Sequence, residues 1–168
     1  TGLALVDALA SVATATAPSI GMADQVASGG AGTIQIHSGS GDLLVNTKVI
    51  ANGGAADVFL KSAGNLLTNG VLDAATGNVM GTAADDAEII ADNLGMIAAG
   101  NIAASAGTDG MLTQVNDVSA TTSNDGVVTI TEQTAGGNLD IDQWADDPTT
   151  AAADPINGIL ADGAVRVI

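Results

Sequence analysis

Short apolar runs alternate with breaks rich in Gly, Asn and Asp along this chain, and the runs return at a near-constant distance. One series comprises Thr33-Ile34-Gln35-Ile36-His37, Asp57-Val58-Phe59-Leu60-Lys61, Asn78-Val79-Met80, Asn101-Ile102-Ala103-Ala104 and Val127-Val128-Thr129-Ile130. From Ile34 to Val58, Val79, Ile102 and Val127 its steps are 24, 21, 23 and 25 residues. A second series begins at Leu43, Leu66, Ile89, Met111 and Leu139, and a third passes through Val26, Val49, Val71, Met96 and Val118. Self-similarity at this period marks a solenoid, in which one repeat cannot bury its own apolar face and stacked copies share a core. The expected fold is all-β: a single-stranded parallel β-helix, or β-solenoid, with about 23 residues and three short strands per coil.

The breaks fit that reading. Ser28-Gly29-Gly30, Asn52-Gly53-Gly54, Thr76-Gly77-Asn78, Gly100-Asn101 and Asn124-Asp125-Gly126 would close successive coils at 11–32, 33–55, 56–77, 78–100 and 101–126. Gly and Asn supply the positive φ that sharp corners need. Three strands and three corners per coil predict a triangular cross-section, and strand spacing of about 4.8 Å predicts a short rod. Residues 1–168 are expected to form one solenoid fragment of a longer chain or fibre, with an insertion at about 143–155, because Val127 and its next equivalent, Val165, are 38 residues apart. A helix over Ala83 to Ala106 is the competing reading, and Gly95, Gly100 and Gly107 oppose it at about 1 kcal/mol each.

Polar residues return too. Asn46, Asn69, Asn93 and Asn116 are 23, 24 and 23 residues apart, which predicts a ladder of stacked side-chain amides along the axis.

Composition then narrows the partners. With 19 acidic and 3 basic residues the net charge is −16, which excludes an electrostatic nucleic-acid binder and disfavours anionic membrane surfaces. The apolar content is Ala, Val, Ile and Leu with one Phe, one Trp and no Tyr, so the core must be thin and built from small branched side chains. Cys is absent, which removes disulfides and thiolate metal sites. No apolar run reaches the 18 to 20 or so residues of a membrane span, so no membrane insertion is expected.

The run Ala56-Asp57-Val58-Phe59-Leu60-Lys61-Ser62-Ala63-Gly64-Asn65-Leu66-Leu67-Thr68-Asn69-Gly70-Val71-Leu72-Asp73-Ala74 resembles the parallel β-helical segments of filamentous-haemagglutinin-like adhesins and related giant bacterial exoproteins. The resemblance is one of repeat style and covers most of the chain from about residue 11. It implies a right-handed parallel β-helix, extracellular and at the cell surface, acting as stalk, adhesin or filament component. The partners it implies are further coils of the same chain or another copy joined end to end, and surface glycans or another cell. A self-assembling surface-layer or sheath subunit is a structural alternative.

Chemistry is sparse. Some parallel β-helices bind or degrade polysaccharides, and glycosidic hydrolysis needs two carboxyls at a defined separation across a cleft. The candidates, Asp85-Asp86-Glu88 and Asp140, Asp142, Asp146 and Asp147, have no nearby base or Tyr, and a solvated acidic face accounts for them. We therefore expect no enzyme and no cofactor, with weak Ca²⁺ binding at Asp146-Asp147 as the one metal to consider. His37 lacks a second His or Cys and is expected to face solvent. Trp144, beside Asp146 and Asp147 in the Pro-bounded insertion, has two readings: an anchor for a partner or sugar ring, or a cover folded back on the flank of the solenoid.

Overall fold

Alternation of Ile34 and Ile36 with Gln35 and His37 puts two isoleucines on one face of an extended run, and that run is a strand with those isoleucines buried. The structure, a computed structural model, describes residues 10–12, 19–20, 25–28, 32–45, 48–51, 56–68, 88–104, 110–132, 139–144, 147–151 and 154–168. The described elements are all strands. In chain order they begin with β1 (Ala10–Val12), β2 (Ser19–Ile20), β3 (Gln25–Ser28), β4 (Ile34–Ser38), β5 (Leu43–Val45) and β6 (Lys48–Ala51). Next come β7 (Val58–Ser62), β8 (Leu66–Thr68), β9 (Ile89–Ile90), β10 (Asn93–Ala98), β11 (Ile102–Ala104) and β12 (Met111–Gln114). The remainder are β13 (Asp117–Thr122), β14 (Val128–Glu132), β15 (Asp140–Ile141), β16 (Gln143–Trp144), β17 (Ile156–Asn157), β18 (Ile159–Leu160) and β19 (Val165–Val167).

These strands form two parallel sheets in a solenoid-like arrangement. The first, sheet A, runs β1-β4-β7-β10-β13-β15, with β18 also on β13. The second, sheet B, runs β2-β5-β8-β11-β14-β12-β9-β6-β3, with β19 on β14. Up to β12 each circuit gives one strand to sheet A and two to sheet B; β14 then pairs with β11 at Val128 and with β12 at Ile130. A separate strand at the third position is therefore lost in that circuit. The pair β16–β17 is antiparallel.

Register makes the core a set of columns. Ile34, Val58, Leu94 and Val118 stack in sheet A, and Ile36, Leu60, Met96 and Ala120 stack beside them. Leu43, Leu66, Ile102 and Val128 face them from sheet B. All twelve are buried, so the space between the sheets is filled by aliphatic and thioether side chains, as the scarcity of aromatics requires. Hydroxyls serve the corner between the sheets: Ser62 Oγ donates to Asn65 O at 2.7 Å and accepts from Leu43 N at 3.0 Å, and Thr122 Oγ1 donates to Gly126 O at 2.9 Å. Buried backbone groups that leave the ladders are satisfied there.

The structure corrects the phase of the sequence repeats beyond Thr68. Val58 pairs with Leu94, 36 residues on, where Val79 is expected, and Met96, expected to follow Val71 in the third series, pairs with Leu60 in sheet A. Ile102 and Val128 pair with Leu66, directly and through Ile102, so Ile102 belongs with the second series. Ile89 pairs with Val49 and Thr113, and so belongs with the third. The expected coils 78–100 and 101–126 are out of phase accordingly; the next circuits start at Asn93 and Asp117. The cause is a longer circuit, 36 residues from Val58 to Leu94 against 24 from Ile34 to Val58, and the excess of about half a period turns one kind of apolar run into another when residues are simply counted. Val71 and Val79 themselves lie outside the described residues. Counting comes back to within one residue at the end: Val165, expected opposite Val127, pairs with Val128, and Ile159 returns to the column of Ala120. Residues 88–104, within the range weighed as a helix, contain the strands β9, β10 and β11.

Candidate functional site

The outer face of sheet A carries the most chemically varied surface described. Its positions follow from strand alternation: Gln35, Phe59, Gly95 and Ser119 form one outward column, and His37, Lys61, Ile97 and Thr121 the next. His37 thus stands half-buried in β4 opposite Lys61. Between β15 and β18 the chain leaves the last rung as a hairpin, with Gly158 N donating to Asp142 O at 3.1 Å across its base. The register shows the insertion directly: Val118 pairs with Ile141, but Ala120 pairs with Ile159.

This hairpin lies back across the sheet. Ser119 Oγ donates to Asp142 O at 2.6 Å. Trp144 rests on Gly95, where any Cβ would come within 2.5 Å of its Cδ2, and its ring is 5.5 Å from that of Phe59 with a tilt of 36°. At the tip Lys61 Nζ donates to Asp147 Oδ2 at 2.6 Å and to Thr149 Oγ1 at 2.7 Å, while Thr149 N and Oγ1 both donate to Asp147 Oδ1. Burial alone would push the Asp147 carboxyl up, but the hydrogen bonds from Lys61 and Thr149 outweigh it and hold the group below the usual carboxylate range. Trp144 therefore covers the flank, and the buried carboxylate of Asp147 is engaged within the chain. Asp146 lies outside the described residues. Among the described residues no three His, Cys, Asp or Glu side chains converge as a metal ion requires.

The amide ladder takes a different form from the one expected. Asn46 and Asn69 lie outside the described residues. Asn93 and Asn116 are not register partners: Asn93 stands opposite Asp117, and its Nδ2 donates to Asp57 Oδ1 at 2.7 Å. Asn116 Nδ2 donates to Asp92 Oδ1, also at 2.7 Å. A run of side-chain to backbone bonds exists at another corner. Asp42 Oδ1 accepts from Asn65 N at 2.7 Å, Asn65 Oδ1 from Asn101 N at 2.9 Å, and Asn101 Oδ1 from Val127 N at 3.0 Å. Each side chain caps the backbone of the next circuit. Asn101→Ala should leave Val127 N without this partner and cost about 0.5–1.5 kcal/mol in denaturant titration; unchanged stability would mean that water substitutes fully for the amide.

Asp117 is the counterpart of Asp147. It pairs in register with Asp140, and its pKa is raised by burial and by the charges of Asp142, Asp140 and Asp92. A raised carboxyl contributes stability below its unfolded value of 3.8, which is lost as pH rises through the folded value. At neutral pH it therefore strains the fold, and Asp117→Asn should stabilise by about 0.5 kcal/mol, the scale of exposed charge interactions. Asp147 has the opposite sign: its contribution holds above 3.8 and falls away in acid. Denaturation at pH 7 and again below the carboxylate range separates the two, because the gain from Asp117→Asn should vanish in acid.

Elsewhere a groove of about 210 Å³ is lined by Ile90, Ala91, Gln114, Val115 and Asn116, none of them ionisable. Compared with known proteins, the chain matches no family model, no curated protein and no solved structure.

Proposed function

We propose that this chain is a non-catalytic structural or adhesive segment of an extracellular filament or cell-surface protein, built as a right-handed parallel β-helix. The observation that carries the reading is the run of in-register core columns through successive strands, from Ile34 to Val118 in sheet A and from Leu43 to Val165 in sheet B. Such columns serve extension along one axis, since each circuit needs only its neighbours. Two of the side chains that sequence offers for chemistry are engaged in internal contacts: Asp147 with Lys61, and Trp144 with Gly95 and Phe59. In this reading the rod continues end to end, through more of the same chain or another copy.

An antibody raised against residues 142–158 tests the location. It should label intact cells of the source organism, and labelling only after permeabilisation would overturn the reading. Light scattering across a salt series tests the association: larger species should grow as the charge of −16 is screened, and a monomer throughout would remove end-to-end joining between copies.

A further inference from the structure

We propose that the hairpin at residues 142–158 is an axial brace, which ties the last rung of the stack to strands three rungs away and makes β7 to β19 unfold as one unit. In a stack of repeats each unit ordinarily contacts its immediate neighbours, so stability is local and the terminal rungs fray first. Here the hairpin leaves the last rung between β15 and β18, meets β13 at Ser119, crosses β10 at Gly95 and reaches β7 at Phe59 and Lys61. The reach is right for the task. Three strand spacings are about 14 Å, and the five residue steps from Asp142 to Asp147 extend to about 16 Å.

The strands beneath are fitted to it. Outward positions on a sheet face are ordinarily polar and reached by solvent, as the half-buried Gln35 is in β4, beyond the hairpin's reach. In the three strands it crosses, the same column holds Phe59 at 0% exposure, a glycine that leaves room for an indole, and Ser119 at 4% with its hydroxyl on the hairpin backbone. One column on three successive strands therefore departs from the outward pattern, and each departure makes one contact with the brace. Lys61 then closes the far end on a buried carboxylate. This inference concerns the mechanics of the chain and holds whether or not the protein is extracellular.

Hydrogen exchange on the full chain tests it with two independent variants. Lys61→Met removes the anchor at the tip, and Gly95→Ala puts a methyl where Trp144 lies, without touching the core columns or any charge. In both, amides of β18 and β19, which neither substitution contacts, should exchange at least tenfold faster, while those of β4 and β5 keep wild-type rates. Acceleration confined to the hairpin would overturn the proposal, since the hairpin would then be an ornament on an independently stable rung. Equal acceleration in every strand, β4 and β5 included, would overturn it as well, because the hairpin would then support the whole stack without directing stability to one end.

Discussion

Phe59→Ala is expected to destabilise the protein by about 3–5 kcal/mol, the range for truncating a fully buried aromatic side chain. The size of the effect is unusual for its position. Phe59 points away from the core between the sheets, on the outward column that continues into Gln35 and Gly95. Substitutions at such places ordinarily stay within about 0.5 kcal/mol, and Gln35→Ala should do so. Phe59 differs because the hairpin has converted its site into a second, smaller core: it is fully buried, with Trp144 tilted across it. Removing Phe59 leaves a cavity under an indole that Gly95 allows to sit low but that is held by its own hairpin at both ends. Chemical denaturation of Phe59→Ala, Trp144→Ala and the double variant would measure the pair. The losses should fall short of additivity by about 0.5–1.5 kcal/mol, the coupling of an aromatic contact beyond its buried area. Additive losses would mean that the two rings are buried by different neighbours.

Much of this architecture is legible in the sequence, and the illegible part has a definite cause. Alternation at Ile34 to His37 and the triplets Gly41-Asp42-Leu43, Gly64-Asn65-Leu66 and Gly100-Asn101-Ile102 mark strands and corners correctly, because each rests on local backbone preference. Phase is another matter. Gly137-Asn138-Leu139 is the same triplet, yet it leads into β15 in sheet A, whereas the other three open strands of sheet B. A corner signal states that the chain turns, not which sheet it enters. Once the longer circuit from Val58 to Leu94 has used up an extra half period, local pattern holds nothing to restore the count. Only the pairing of Leu94 with Val58, set by tertiary packing, does so.

The site divides in the same way. Trp144 was conspicuous because aromatics are so scarce, and its Pro-bounded setting marked an insertion, which the structure places between β15 and β18. Its floor was not legible. Nothing beside Gly95 or Lys61 in the chain marks either as a contact for the insertion, because their partners lie 49 and 86 residues away. One clue was present: Phe59 and Lys61 occupy outward places on a strand whose inward places are Val58 and Leu60, and a large aromatic facing outward asks for a cover. The amide ladder shows the converse error. Asn93 and Asn116 return at the right interval, but opposite Asn93 stands Asp117, so a shift of one residue in register places each amide beside a carboxylate.

Gly126→Ala is expected to cost about 2–3 kcal/mol, at the upper end of what overpacking a closed site does. The corner between the sheets is nested backbone on backbone. A Cβ on Gly126 would meet the Gly100 carbonyl, with its carbon at 2.8 Å, and Thr122 Cβ at 2.9 Å; one on Gly163 would come within 2.9 Å of Gly126 O in turn. Backbone atoms cannot swing aside as a side chain can, and Thr122 Oγ1 and Ser123 O already hold this turn through Gly126 O and N. The residues before it, Asn124 and Asp125, have φ of 53° and 61°, so the corner has little conformational slack to absorb a shift. Gly41 provides the contrast. Its φ is +69°, but a Cβ there would meet nothing within 4 Å, so Gly41→Ala carries only the left-handed backbone penalty of about 1–2 kcal/mol. The two substitutions should also differ in kind. Gly41→Ala should lower the denaturation midpoint with strand pairing intact, whereas Gly126→Ala must push β14 away from β11 and so expose the Ile102 amide, which donates to Val127 O across that pair, to exchange. If Gly126→Ala leaves the Ile102 amide protected, the successive corners are not in contact, and the close stacking of circuits at this edge is wrong.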